Sequence, residues 1–227
     1  MKVKLQWATP NIDAQIAYQA RVSNPDNQSN PQIAGLLNYC MREGHVSPFE
    51  MANVCLEVNT TRDIARQILR HRSFSFQEFS QRYQDASKLG HSVVRECRLQ
   101  DTKNRQNSLE CDDLAVEASW ARAQAFVWNA ARSAYQNALL NGIAKEQARA
   151  LLPEGLTPSR LYMNGTMRSW VHYLSQRLHP STQKEHRQIA EQVLQVLRGV
   201  APITIEAFFP SEGPSASGSD DQPKWSR

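Results

Sequence analysis

The sequence predicts a mixed α/β protein, and three observations carry that prediction. Short apolar runs of strand character, Val3 to Trp7 and Ala52 to Val58, are interspersed with stretches whose apolar residues recur at helical spacing. Glycine, asparagine or proline stands where most of those helical stretches stop. At 227 residues, 41% hydrophobic and 21% charged, the chain is an ordinary globular one, long enough to bury a sizeable core.

From Val3 to Trp7 apolar and polar residues alternate, as in a short strand. Asn11 to Val22 carries Ile12, Ile16 and Tyr18 at near-helical spacing and stops before Ser23-Asn24-Pro25. Pro31 to Arg42 reads as a second helix, buried through Ile33, Leu36, Leu37 and Cys40 and ended by Gly44. Ala52 to Val58 reads as a buried strand, and Thr60 or Thr61 can cap the helix that follows. That helix, Asp63 to His71, has Ile64, Ala65, Ile68 and Leu69 as its apolar stripe, so Gln67, Arg70 and His71 project together from another side. Beyond Arg72 the rings of Phe74, Phe76 and Phe79 lose helical period; a loop or extended segment is expected, and an extended 78–82 would put Glu78, Ser80 and Arg82 on one face.

Residues 84–112 are polar and irregular, a surface excursion. Asp112 to Leu140 is a long helix with Asp112 or Asp113 at its start and Asn141-Gly142 at its end. Shorter helices are expected at Lys145 to Leu152, Thr166 to Leu178 and Thr182 to Arg198, with a terminal apolar segment from Val200 to Phe209. Ser, Gly, Pro and Asp dominate 210–227, which is expected to be a disordered tail behind a single domain at 1–209.

The net charge is +4, and Glu212, Asp220 and Asp221 against Lys224 and Arg227 leave about +5 on the body. That excess favours anionic ligands, yet the basic residues form no long run of the kind that tracks nucleic acid. Cys40, Cys55, Cys97 and Cys111 contain no paired C-x-x-C, which argues against zinc and for a reduced, cytoplasmic setting; Cys40 and Cys55 are expected in the core. No apolar run reaches the length of a membrane span, and the amino terminus lacks a signal-peptide core.

The densest chemistry lies in residues 70–83, Arg-His-Arg-Ser-Phe-Ser-Phe-Gln-Glu-Phe-Ser-Gln-Arg-Tyr. Arginine is permanently charged and carries a planar fork of donors, so several beside apolar rings suit a flat anionic ligand. Arg70-His71-Arg72, seven residues, then Ser80, with Ser75 and Arg82 in step, resembles the signature of the flavin-dependent thymidylate synthases. Glu43 to Glu50, Arg149 with Leu151-Leu152-Pro153, and Arg168 to Arg177 with Gln183 and Glu185 beyond are similar to further family segments in the same order. The chain departs from the family's pattern at Met51, Gln77 and Thr166.

The resemblance implies a twisted, mainly antiparallel sheet flanked by helices, without a Rossmann unit, in a homotetramer with active sites between subunits. It implies reductive methylation of dUMP to dTMP, with methylene-tetrahydrofolate as carbon donor and reducing equivalents from NADPH passing through FAD, and with no metal. By family match Gln67, Arg70, Glu78, Ser80, Gln81, Arg82, Arg149 and Arg177 bind dUMP, Arg149 from another subunit, and Arg177 is the catalytic cation. His45, Ser47, Arg70, His71, Arg72, Glu78, Arg168 and His172 match FAD positions. Arg168 and His172 lie one turn apart, whereas Arg177 lies about half a turn round the same helix, so one helix can serve both ligands.

No covalent nucleophile is expected. Ser80 lacks an adjacent base and is assigned to phosphate, and Cys97 has basic neighbours but no nearby histidine. His179, His186, Arg66, Arg187 and Arg198 are expected at the surface, and Phe74, Phe76 and Phe79 are expected to be structural. Two rival readings stay open: a single-stranded nucleic-acid module built on Arg66, Arg70, Arg72, Arg82 and the interleaved phenylalanines, and a flavoprotein of the same fold without turnover.

Overall fold

The computed structural model describes residues 1–211. In chain order it runs β1 (Lys2–Ala8), α1 (Ile12–Ala20), α2 (Ala34–Arg42), β2 (Asn53–Thr61), α3 (Arg62–Ile68), β3 (Ser75–Glu78), β4 (Arg98–Gln100), β5 (Ser108–Glu110), α4 (Leu114–Leu140), α5 (Lys145–Ala148), β6 (Pro158–Thr166), α6 (Met167–Arg177), α7 (Lys184–Val200) and α8 (Pro202–Phe208). The expected tail falls largely at 212–227, outside the described residues.

Among the described residues the main sheet has the order β1-β2-β6-β3 with every pairing antiparallel, as the resemblance implied and unlike a Rossmann sheet. Its second inner strand, β6, is one that the sequence reading did not anticipate. Ser159, Leu161, Met163 and Gly165 alternate inward against Arg160 and Tyr162 outward. Gly165 is required there, because a Cβ at that position would lie 2.4 Å from the Phe74 ring. Phe74 uses the space to meet Trp170 edge-on at 4.7 Å, which joins β3's approach to α6.

Helices α1, α2, α6, α7 and α8 close the core over this sheet with Ile12, Ile16, Leu37, Trp170, Leu174, Ile189, Val193 and Ile205 all fully buried. The buried Asp13 carboxylate of α1 accepts from the Ile203 and Thr204 amides at 2.9 and 3.0 Å, so a residue far away in sequence caps α8. Cys40 and Cys55 are core residues as expected.

Several boundaries depart from expectation for local reasons. α3 ends at Ile68, earlier than expected, and Thr61 occupies its N-cap position while donating its hydroxyl to Asp63 at 2.5 Å. Residues 78–82 are not extended: β3 stops at Glu78, and the Tyr83 and Gln84 amides fold back onto the Ser80 carbonyl at 3.2 and 3.1 Å. Glu78, Ser80 and Arg82 therefore do not share a strand face. The excursion at 84–112 has structure of its own, a β4-β5 hairpin whose tip is 101–107. Asp113 caps α4 by accepting from the Ala115 and Val116 amides at 2.8 and 3.2 Å, as anticipated. In the described residues no helix is long and apolar enough to cross a membrane.

Candidate active site

Helix α6 organises the site, and its two ends present different chemistry. Thr166 terminates β6 and caps α6 by accepting from the Ser169 amide at 3.2 Å, which launches the helix directly off the sheet. Thr166 thus caps α6, a duty that asparagine could also perform, so the structure does not explain this departure from the family's pattern. Trp170 then anchors α6 by donating to the Val54 carbonyl at 3.1 Å.

Near the start of α6, Arg168 and His172 line a cavity of about 530 Å³ with Gly44, Val46, Glu50 and Ser73. The approach of Gly44 follows from its backbone: at φ 72° it ends α2 in the left-handed region, and the next amide, His45, closes onto Cys40 O at 2.8 Å. Pro48 then begins a 3-10 turn over Ser47–Met51 that carries Glu50 to an ion pair with Arg168. On the far wall the Ser73 carbonyl accepts from Ser169 Oγ at 3.1 Å, so the Arg-His-Arg loop is tied to the helix beside the cavity. His45, Ser47 and Arg72 do not line it; they are exposed sequence neighbours of the lining residues Gly44, Val46 and Ser73.

At the last turn of α6, Arg177 Nε donates to His71 Nε2 at 2.9 Å. That bond requires the His71 proton to sit on Nδ1. Burial first, then the neighbouring Arg177, His172 and Arg70, lower the His71 pKa to about 4, so the ring is a neutral acceptor at ordinary pH. The aromatic Tyr173 packs edge-on against His71 at 5.0 Å, fully buried, with no hydrogen-bond partner for its hydroxyl among the described residues. His186 lies 5.7 Å from Tyr173 and is also completely buried, its pKa lowered to about 3 by desolvation, Arg177 and His71.

His186 at the surface was the wrong expectation. It begins the inward row of α7 that continues through Ile189, Ala190, Val193 and Leu197, at helical spacing from them. His179 is exposed as expected.

Gln67 joins this group, donating to Gln183 Oε1 at 2.8 Å and lying 3.2 Å from His186 Nδ1. Arg70 is exposed but close enough to depress both His71 and Arg177. Glu78 accepts from Ser159 Oγ at 2.6 Å and faces Arg62 at 3.5 Å. The remaining phosphate candidates form a second cluster: Arg82 faces Glu146 at 3.4 Å, and Arg149 donates to the Glu146 carbonyl at 3.2 Å. Ser80 Oγ accepts weakly from the Arg82 amide at 3.4 Å within the turn, and the Gln81 side chain is buried beside it.

Other expectations can be placed against this geometry. Phe74 is in the core and Arg66 is held by Glu154 at 2.6 Å, which removes two members of the stacking surface that a nucleic-acid module needs. Cys97 faces Cys111, and desolvation with that neighbour raises its pKa, whereas Arg95 and Arg98 turn to carboxylates; it is no activated nucleophile. Arg187 and Arg198 are half-buried, donating to the Pro180 and Phe209 carbonyls at 2.8 and 3.1 Å. No group of three metal-ligating side chains occurs among the described residues.

Residues 4–203 match the family model described as thymidylate synthase complementing protein. The chain belongs to the flavin-dependent thymidylate synthase family. A Synechocystis sp. protein named flavin-dependent thymidylate synthase is 55% identical over 175 residues, covering 77% of this chain and 79% of that one. A Paramecium bursaria Chlorella virus 1 protein, named "Probable flavin-dependent thymidylate synthase", is 48% identical over 194 residues, 85% of this chain and 88% of its own. Among solved structures, the UMP/dUMP methylase PolB from Streptomyces cacaoi bound with 5-Br UMP superposes with a TM-score of 0.78 at 29% identity, over 91% of this chain and 92% of that one. Flavin-dependent thymidylate synthase architecture is thus present across nearly all of the described residues.

Proposed function

We propose that this protein is a cytoplasmic flavin-dependent thymidylate synthase, which methylates dUMP to dTMP with methylene-tetrahydrofolate as carbon donor and NADPH as reductant through FAD. The observation that carries the reading is the division of α6: a cation held against a neutral histidine at one end, and an arginine and a histidine lining an open cavity at the other.

The cavity's donors suit FAD. Arg168 supplies charge for a diphosphate and His172 a polar contact, and the exposed neighbours Arg72, His45 and Ser47 are assigned by family match to the rest of the cofactor. When bound, FAD supplies the reducing equivalents taken from NADPH. Arg177 acts on the nucleotide. Its Nε is occupied by His71, which leaves the Nη donors for a uracil carbonyl, where they stabilise negative charge as the ring is reduced. Because neutral His71 accepts through Nε2, it holds the guanidinium without adding a competing cation. His71, matched to a flavin position, thus serves the nucleotide side here by holding Arg177, while Gln67 and Arg70 orient the base and Glu78 sets β3 against Ser159.

Arg82, Ser80 and the Gln81 amide receive the phosphate together with an Arg149 that the family resemblance brings from a second subunit, although this chain's own Arg149 also meets Glu146 beside Arg82. A homotetramer with shared sites accords with α4, whose Trp120, Phe126, Val127 and Leu140 are exposed apolar side chains on one long helix. Residues 1–209 act as one catalytic domain.

The test is a thymidylate assay with purified protein in which dUMP, the folate, NADPH and FAD are omitted in turn. The protein should be yellow as isolated, product should require added dUMP, folate and NADPH, and protein stripped of its flavin should regain turnover only when FAD is returned. Flavin retention without product from any combination would favour the turnover-less relative instead.

A further inference from the structure

We infer that Gln183 and Glu185 are positioning residues for the nucleotide site, a directional hydrogen-bond relay that decides which end of the Gln67 amide faces the ligand. The inference rests on the reading of Gln67 as a dUMP contact.

The relay begins at Glu185, a buried carboxylate that can only accept. Arg98 Nη2 donates to its Oε1, and Arg95 Nη1 stands 3.5 Å from its Oε2. Arg95 is itself fixed, donating to Asp63 at 2.7 and 2.9 Å, to Thr61 Oγ1 at 2.5 Å and to the Gly155 carbonyl at 3.2 Å. Gln183 Nε2 donates to Glu185 Oε2 at 2.9 Å. Since an amide has one donor end and one acceptor end, the carboxylate takes the former and Gln183 Oε1 is left to face Gln67. It accepts from Gln67 Nε2 at 2.8 Å, which turns Gln67 Oε1 toward His186 Nδ1 at 3.2 Å.

The last link checks the direction independently. His186 must then carry its proton on Nδ1 and leave Nε2 bare, and Nε2 is buried with no partner among the described residues. A bare nitrogen acceptor suits that apolar site better than an unsatisfied N–H. The consequence for Gln67 is one remaining Nε2 hydrogen, available to an acceptor such as a pyrimidine carbonyl. Without the carboxylate the three amide and imidazole groups could reverse together. Arg95 and Arg98 belong to the 84–112 excursion, so this relay also gives the excursion a connection to the nucleotide side.

Gln183 separates positioning from folding. It is exposed, and although it stands at the N-cap of α7 its side chain makes no capping bond. Holoenzyme is compared as wild type, Gln67→Met, Gln183→Met and the double variant, methionine keeping side-chain length without an amide. The expected result is a rise in dUMP KM of roughly three- to tenfold in Gln183→Met, larger than any change in kcat. In the Gln67→Met background the same substitution should add nothing, since its route is gone. ¹⁵N spectra should show a single Nδ1–H tautomer for His186 in wild type and a mixture in Gln183→Met. An unchanged KM in Gln183→Met, or a full additional effect in the double variant, overturns the inference while leaving the parent reading standing if Gln67→Met is impaired. A wild-type enzyme that forms no thymidylate overturns both.

Discussion

The two ends of α6 hold their arginines in opposite ways. Arg177 is half-buried, with its Nε donating to a neutral histidine inside an aromatic cluster, whereas Arg168 is exposed and pairs with the exposed Glu50. A cation that must stabilise developing charge gains from being fixed in a partly desolvated setting before the ligand arrives. One that grips a cofactor needs only to be near and able to change partners. The same residue type thus serves two purposes, and what distinguishes them is the packing beneath each.

That contrast predicts a hierarchy of effects. Arg177→Ala should lower thymidylate formation by roughly a hundred- to a thousandfold with FAD still bound, measured as product at saturating dUMP. Arg177→Lys should fail to restore it, because an ammonium cannot both bond His71 and present a planar fork; near-wild-type rates in the lysine variant would show that the His71 bond is unimportant. Arg168→Ala should instead weaken FAD affinity by roughly ten- to a hundredfold, seen by flavin fluorescence titration, with turnover recovered at high FAD.

Gly165→Ala attacks the support shared by both ends. Its methyl must displace the Phe74 ring or the strand, and a loss of roughly 1 to 3 kcal/mol in urea unfolding is expected. A variant as stable as wild type would mean that Phe74 yields freely.

The buried histidines make stability depend on pH with a definite sign. Both are held neutral in the fold, so their contribution is fully present above about pH 6.5, where the unfolded residues are also neutral. As pH falls below that, unfolding takes up protons and stability declines, down to about 4 for His71 and about 3 for His186. His186→Gln should flatten this acid limb in thermal midpoints read from pH 7 to 4, and an unaltered slope would count against a buried neutral ring. Smallest of all, Cys97→Ser should leave turnover within about twofold, since its thiol is raised rather than activated.

How far each part could be read from the chain follows from where its causes lie. α7 and α4 were visible because apolar spacing and an Asp113 cap are local properties. The loss of helical period after Arg72 was visible for the same reason, and so were the family segments, which are matters of identity and spacing. β6 was hidden because its strand character comes from pairing with β2 and β3, some hundred residues earlier, rather than from its own composition. His186 was misread because burial of a polar ring depends on what surrounds it, here Tyr173, His71 and Gln67 from two other helices and a loop. Glu78, Ser80 and Arg82 were given a common face because alternation was extrapolated past a turn whose closing bonds are backbone ones.

By itself the sequence determined the family, the main helices and the inventory of cations and amides from which the site is built, because residue type and short-range spacing are written along the chain. Only the tertiary structure decided which arginine is braced by a histidine, which lies open beside a cavity, and which way Gln67 points. Those properties belong to contacts between distant segments, where burial sets protonation and each hydrogen-bond partner limits what the next group can do.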